Sequence, residues 1–336
     1  MRFGPVPLDQ ASGAVLAHGL MAAGRRLRKG LVLGAQEIAL LRAAGLAEVT
    51  VARLDPGDVA EGTAALRLAR AVAVDPGAGL DVSNAFTGRV NLRARAAGVV
   101  QVDADRVRAL NLRDAGLTLA TVAPWARAVP GGLVATVKII PYAVPEAALA
   151  GAEALAAGAL RLRPVVMHHA GLILTEVPGQ GEKLAVKGQR AIEARLRRLG
   201  MSLAEVRRVP HETGAIAGAL AGINGDIVLI LAGSATSDVR DAAPEALRRA
   251  GGRVDRFGLP VDPGNLTFWG WQGQGAGQRP VLGLPGSARS LVASGVDLVL
   301  ERLVCGVPID AGDIAAMAVG GLGRDVPSRG QPREAE

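Results

Sequence analysis

Aromatic residues are scarce in this sequence: four Phe, three Trp and one Tyr among 336 residues, or 2%. No stretch interleaves aromatic with basic side chains, as a stacking platform for nucleic acid requires, so no nucleic-acid partner is expected. Cysteine is almost absent too. The single Cys305 leaves no intrachain disulfide framework and no cysteine-built zinc or iron–sulfur site, and a reducing, cytoplasmic home follows as the expectation. Nor does any apolar run approach the roughly 18 residues that a spanning helix needs. Met1–Asp9 lacks the apolar core of a signal peptide, and His18 interrupts the mildly apolar stretch that follows, so neither secretion nor a membrane partner is expected. Lysine is rare: four residues against 34 Arg.

What the sequence does have is bulk for two cores. Apolar residues make up 49% of the chain, and its length favours two domains. The net charge of +7 is spread almost evenly, +4 over residues 1–160 and +3 over 161–336, which is no nucleic-acid footprint. Arginine suits bidentate contacts to phosphate and other oxyanions, so the charge points no further than an anionic ligand.

A seam lies near residue 162. Before it, Gly132–Ile140 reads as a β-branched strand, and Pro145–Leu160 as an Ala/Leu-rich helix broken by Gly151 and Gly158. Pro164 is expected to open a new strand. Residues 1–161 read as an α+β N-terminal domain, with helices over Gln36–Ala44, Val59–Ala73 and Asp103–Leu110 and a strand at Val49–Val51. Residues 162–306 read as a second domain, and 307–336 as an extension ending in a frayed tail.

The second domain alternates regularly. Strands are expected at Val165–Leu174, Leu203–Val209, Asp226–Ala232, Val254–Leu259 and Pro280–Leu284. Helices are expected at Gln189–Leu199, Thr213–Ala221 and Ala242–Ala250, with a closing helix over Ser287–Val304. Strands spaced by helices of this length make α/β architecture, a doubly wound and mostly parallel sheet. Such sheets bind ligands beyond the carboxyl ends of their strands, where strand order reverses. The loops after Ala232 and Leu284 are therefore the places to look.

The first of these is Ala232-Gly-Ser-Ala-Thr-Ser-Asp-Val-Arg-Asp-Ala-Ala-Pro-Glu245. Small residues at Gly233, Ser234 and Ala235 let backbone amides approach an anion, Ser234, Thr236 and Ser237 add hydroxyls, and Asp241 precedes the helix as a natural N-cap. The second is Gly283-Leu-Pro-Gly-Ser-Ala-Arg-Ser290. Here Pro285 stiffens the approach, Gly286 permits a tight turn and Ser287 is the expected cap of the closing helix. A capped, ligand-free turn is the plain alternative for either loop alone; the pairing on neighbouring strand ends is the stronger signal.

Four histidines and two tryptophans remain. His168 and His169 are adjacent in an expected strand, so they point to opposite faces and cannot share a metal, one of them being expected as a packed core or sheet-end histidine. His211 lies beside the presumed site. Trp269 and Trp271 share one face of an extended segment, where core packing is the plainer reading and stacking on a ligand ring the sharper one. Phe86-Thr-Gly-Arg89 sits on a Gly-containing turn, for which a structural role is the plainer reading and closure over a ligand the alternative.

The second half resembles the MoaB/Mog domain, the molybdopterin-binding fold of molybdenum-cofactor assembly. Ala232-Gly-Ser-Ala235, Arg240-Asp241 and Pro244-Glu-Ala246 are similar to that family's glycine-rich loop and following helix, and Leu284-Pro-Gly-Ser287 to its second loop. Asn84–Asn91, Val134–Tyr142 and Val261–Asn265 look similar to the molybdopterin-binding half of larger proteins fused to a cofactor nucleotidyltransferase, a segment not read here. Two departures stand out: Ala232 and Ala235 replace flanking glycines, and His211-Glu212 stands where catalytic members carry an acid before a helix.

The resemblance implies a molybdopterin-binding protein of cofactor biosynthesis or handling. Gly233, Ser234, Ala235, Thr236, Pro285, Gly286 and Ser287 would hold the phosphate and pterin edges, and Arg240 or Arg289 would neutralise phosphate or molybdate. Asp241 would position Mg²⁺ or polarise a phosphoryl group, with Glu212 as the second catalytic candidate. It further implies adenylyl or molybdate transfer to molybdopterin as the activity of an enzymatic member, with ATP as co-substrate. A nucleotidyltransferase or molybdoenzyme is the implied protein partner, and self-association is expected. The alternatives are a non-catalytic cofactor carrier and an unrelated nucleotide-binding domain.

Overall fold

The computed structural model describes residues 1–322 apart from residue 180; the expected tail beyond 322 lies outside the described residues. The chain divides into two compact units, Met1–Ala96 with Val100–Leu162, and Ala97–Val99 with Arg163 onward. No helix among the described residues is long and apolar enough to cross a membrane.

The first unit is strand-rich α+β. At its start, Arg2–Pro7 pairs antiparallel with Glu48–Arg53, which also pairs with Val15–Leu16, and the helix Ala35–Ala43 closes a small core of Leu8, Leu16, Leu33 and Leu41. A second, larger core lies under an antiparallel sheet whose strand order is Leu117–Thr121, Leu133–Ile139, Arg89–Ala94, Leu80–Val82. The helix Glu61–Val72 turns Ala64, Ala65, Leu68, Ala69 and Val72 inward at helical spacing, and it is shorter at its start than the sequence suggests. Asp58–Ala60 forms a strand with Ala143–Pro145 instead, because Val59 is drawn into that pairing.

The second unit is a doubly wound α/β layer. Its elements are β1 (His169–Glu176), α1 (Glu182–Arg198), β2 (Ser202–Pro210), α2 (Thr213–Gly222), β3 (Ile227–Leu231), α3 (Ala242–Arg249), β4 (Arg253–Phe257), β5 (Phe268–Gln272), β6 (Arg279–Leu284), α4 (Gly295–Val304) and α5 (Ala311–Ala316). The sheet runs β2-β1-β3-β6-β5-β4. Strands β2, β1, β3 and β6 are parallel, and β5 runs antiparallel to both β6 and β4. All five residues of β3 are buried, as a central parallel strand covered on both faces requires. After β1 the chain moves to β2 on one side, then returns to β3 on the other, so strand order reverses between β1 and β3.

Three expectations are corrected or narrowed here. Pro164 closes the strand Leu160–Pro164, and β1 starts only at His169. His168 and His169 are both exposed at the amino edge of the sheet, where their backbone N–H groups donate to the Asp226 carboxylate at 2.7 and 2.9 Å; of the two alternatives the sheet end holds and the core does not. The closing helix is interrupted: Gly286–Arg289 forms a single 3-10 turn, and α4 begins at Gly295, capped by Ser294 with Asp297 in a reciprocal box. Ser287 is therefore not a helix cap.

Tryptophan follows the plainer reading. Trp269 is buried on β5, and Trp271, half-buried, has the Arg253 guanidinium 5.9 Å from its ring centroid. On the same strand pair, Gly283 on β6 lies opposite Phe268 and has no substitute: a Cβ there would lie 1.9 Å from the Phe268 ring. Cys305 is buried, and desolvation pushes its thiol up to about 11, so it is an inert core residue.

Candidate functional site at the carboxyl edge of the sheet

Because the parallel strands share one direction, their carboxyl ends bring four loops to one edge: 177–181 after β1, 211–212 after β2, 232–241 after β3 and 285–294 after β6. The switch point is bridged directly. Thr175, at the end of β1 and 3% exposed, accepts the Gly233 N–H through Oγ1 at 2.7 Å. The same oxygen lies 2.7 Å from His211 Nδ1. The hydroxyl thus bridges the Gly233 amide and the imidazole, either donating to Nδ1 or accepting from it according to the His211 tautomer, and Nε2 is the other ring nitrogen. That nitrogen lies 4.0 Å from Asp241 Oδ1.

The 232–241 loop is braced by its own carboxylates. Asp241 caps α3, accepting from Ala242 N–H at 2.7 Å and from Ser237 N–H at 3.2 Å. These are among the amides that an anion at this helix start would use, so the Asp241 carboxylate already fills that role. Asp238 accepts from the Arg240 backbone and guanidinium at 2.7 and 3.1 Å, and the guanidinium holds its carboxyl below the usual range. Arg240 is 84% exposed and turned to this partner. Ser234 and Ala235 are exposed, Gly233 is half-buried and Thr236 is buried at 3%.

The 285–294 loop is braced from outside. Arg195 on α1 is 2% exposed and donates to Asp297 Oδ1 at 2.9 Å, to the Ala288 carbonyl at 2.6 Å, and to the carbonyls of Ser290 and Val292. Three of the loop's carbonyls are thus satisfied by a neighbouring helix rather than by the loop's own side chains. Ser287 Oγ and Arg289 Nε are buried and make no hydrogen bond among the described residues. Arg289 is half-buried, and burial pushes its guanidinium down. One of its terminal nitrogens donates to the Ala232 carbonyl at 2.8 Å and ties the two loops together. Pro285 is buried and Gly286 exposed at the start of the turn.

Two clefts open at this edge. One, of about 710 Å³, runs along α1 and is lined by Lys183, Val186, Lys187, Arg190, Arg289 and Leu291. The other, of about 380 Å³, is lined by Glu176, Pro178, Arg208, His211 and Glu212. Glu212 is the exposed N-terminal flank of α2, and its side chain makes no capping bond. Among the described residues no hydrogen bond or ion pair joins it to Asp241, although His211 reaches both the cleft and Asp241. No group of three or more His, Cys, Asp or Glu side chains that could hold a metal ion occurs among the described residues.

Sequence reasoning found both loops but missed two residues that shape them. Thr175 and Arg195 carry no local motif. A polar residue ending an otherwise apolar strand, and an arginine on the apolar face of an amphipathic helix beside Ile192 and Leu196, were the available signals.

A doubly wound domain of this strand order belongs to the α/β class whose ligands sit beyond the carboxyl ends of the strands, at the switch point where Ser287 Oγ and Arg289 Nε lie buried and unpartnered. Residues 187–304 match the family model described as the probable molybdopterin binding domain, which bears out the family resemblance of the sequence. Residues 5–53 match a domain of unknown function (DUF8806). No curated protein matches the chain.

Among solved structures, the molybdopterin biosynthesis enzyme MoaB from Thermus thermophilus is similar at 20% identity, over 43% of this chain and 100% of that one, with a TM-score of 0.29. A molybdenum cofactor biosynthesis protein from Pyrococcus furiosus is similar at 14% identity, over 90% of this chain and 61% of that one, with a TM-score of 0.23. A molybdenum cofactor biosynthesis protein B is similar at 16% identity, over 46% of this chain and 98% of that one, with a TM-score of 0.29. At these identities and TM-scores the likenesses bear no functional weight.

Proposed function

We propose that the second unit binds molybdopterin at the carboxyl edge of its sheet and that the protein handles this ligand in molybdenum-cofactor biosynthesis. The observation that carries the reading is the pair of buried, unpartnered donors in one turn, Ser287 Oγ and Arg289 Nε. Buried polar groups are nearly always hydrogen-bonded, so two orphans side by side at a switch point call for an acceptor from outside the chain. Molybdopterin carries a terminal phosphate, a dithiolene and a flat polar pterin. Its phosphate meets Ser287, Arg289 and the Gly286 turn, and its ring system extends into the 710 Å³ cleft, whose volume suits a ligand of that size. Lys183, Lys187 and Arg190 add positive charge along the cleft wall.

A second reading, adenylyl or molybdate transfer to the bound ligand, is favoured by the Thr175–His211–Asp241 chain. Asp241 retains lone pairs for Mg²⁺, which takes one or two carboxylates together with substrate oxygens. ATP would then enter from the side of His211 and Glu212. In this reading Asp241→Asn abolishes turnover while molybdopterin stays bound; in the carrier reading delivery to a client protein is unchanged by that substitution.

The deciding experiment is extraction and fluorescence analysis of pterin from protein purified from a cofactor-producing cell. The expected result is molybdopterin on the wild type and its loss on Gly286→Trp. Empty wild-type protein that also fails to take up added molybdopterin rejects the proposal and moves a general nucleotide ligand to the front.

A further inference from the structure

The four lysines of this chain are Lys29, Lys138, Lys183 and Lys187. In a sequence that meets its need for positive charge with 34 arginines, all four line cavities: two the cleft along α1, and two a separate cavity of about 240 Å³ in the first unit. An ammonium is a compact charge with three rotatable donors on a flexible stem, whereas guanidinium is a fixed planar fork. Lysine is thus reserved here for places where a small group must be gripped from variable directions.

The first-unit cavity is built with care. The Phe86-Thr-Gly-Arg89 segment forms a two-residue hairpin turn, with Phe86 and Arg89 exchanging backbone bonds of 2.9 and 3.0 Å and with φ of +46° at Thr87 and +67° at Gly88. A Cβ on Gly88 would lie 3.0 Å from both the Glu61 Cβ and the Ile139 carbonyl, and the left-handed φ there favours glycine, so the turn closes tightly against Glu61. Lys138 then donates to the Thr87 carbonyl at 2.6 Å and sits 3.5 Å from Glu61. Tyr142 forms the opposite wall. Its hydroxyl donates to the Ala17 carbonyl at 2.6 Å, and its ring stacks on Phe3 at 6.3 Å. Lys29 Nζ lies 5.3 Å from the Tyr142 ring centroid, and it has no carboxylate partner among the described residues. The exposed Thr87 also lies on the cavity wall and offers its hydroxyl at the rim.

We propose that this cavity is a binding site for a tetrahedral oxyanion of the phosphate type, gripped by Lys29, Lys138 and the Thr87 hydroxyl. Two ammonium groups face one carboxylate, so the wall keeps a positive excess after Lys138 and Glu61 pair. The volume is below that of sites for drug-sized ligands and leaves room for a small anion, free or as the terminal group of a monoester whose remainder projects to solvent. The site is independent of the molybdopterin reading, since none of its residues lies in the second unit.

The test uses the full chain carrying Lys183→Met, Lys187→Met and Arg289→Met, which silences the other basic cleft. Inorganic phosphate and phenyl phosphate are titrated at low ionic strength, followed by calorimetry and by ³¹P line broadening. Saturable binding of at least one probe is expected, weakened at least tenfold by an added Lys29→Met and abolished by Lys29→Glu. Lys29 makes no ion pair whose loss would unfold the unit, and a thermal melt checks this. Tighter binding of phenyl phosphate assigns the group to a monoester, and equal binding assigns it to a free oxyanion. No saturable binding of either probe, or binding that Lys29→Met and Lys29→Glu leave unchanged, overturns the proposal.

Discussion

The two loops that meet at the carboxyl edge of the second sheet solve the same problem in opposite ways. Each leaves a buried parallel strand and must satisfy its backbone groups before a helix begins. The 232–241 loop does so internally: Asp238 and Asp241 spend their carboxylates on the loop's own amides and on Arg240. The 285–294 loop takes its support from Arg195 on the neighbouring helix, which satisfies three of its carbonyls. A self-braced loop is stable but chemically occupied. An externally braced loop does not spend its own side chains on those carbonyls, and among the described residues Ser287 Oγ and Arg289 Nε stay without a partner. Pre-organised donors held by a surrounding shell are what ligand binding requires.

The largest effect expected from this contrast is on the brace itself. Arg195→Met leaves Asp297 without its buried partner and strips the loop carbonyls of a donor, so a loss of about 3–5 kcal/mol is expected in denaturant unfolding. Equal stability of the variant would mean that the loop holds its shape without α1. Next comes Arg289→Met. Removing a charged donor from the ligand costs binding about 10- to 100-fold, following the roughly 1.5–3 kcal/mol of a charged hydrogen bond. Stability should change little, because the guanidinium is desolvated in the folded state and methionine fills a similar volume. Titration with molybdopterin, alongside a melt, separates the two outcomes.

Thr175→Val tests the bridge between the loops and the switch point. It removes the acceptor used by Gly233 N–H and the partner of His211 Nδ1 while keeping the side-chain volume, so about 1–2 kcal/mol of stability should go. The His211 Nδ1 should also lose its hydrogen-bond partner, read by ¹⁵N shifts of the imidazole. A variant with unchanged stability and unchanged ring shifts would remove Thr175 from the argument.

Much of this architecture was legible beforehand, and the reasons are local. The α/β alternation, the buried run of β3 and the Asp241 cap each follow from contiguous residues. The break in the closing helix was not readable in the same way. Ser287–Val304 reads as one segment with helix formers at both ends, and between the 3-10 turn and α4 the chain leaves helical geometry where Arg195, nearly a hundred positions away, captures the Val292 carbonyl. The unpaired state of Ser287 and Arg289 is likewise a product of tertiary packing. Arg240 and Arg289 look equivalent in sequence, one residue from an Asp and two from a Ser respectively, and only the packed structure separates them.

That separation sets the last and smallest prediction. Arg240→Met should leave molybdopterin binding and the melting temperature at neutral pH unchanged within error, because the Arg240–Asp238 pair is exposed and screened. Its effect should appear in acid. Arg240 lowers the Asp238 pKa in the folded state, so the pair stabilises the loop above the unfolded carboxyl value near 3.8 and ceases to do so as pH falls through the folded one. In the variant, the Asp238 carboxyl resonance should titrate closer to that value, and the difference between variant and wild type should vanish at the most acidic end. Should Arg240→Met instead weaken molybdopterin binding as much as Arg289→Met, the two loops act alike on the ligand, and the contrast between the self-braced and the externally braced loop fails.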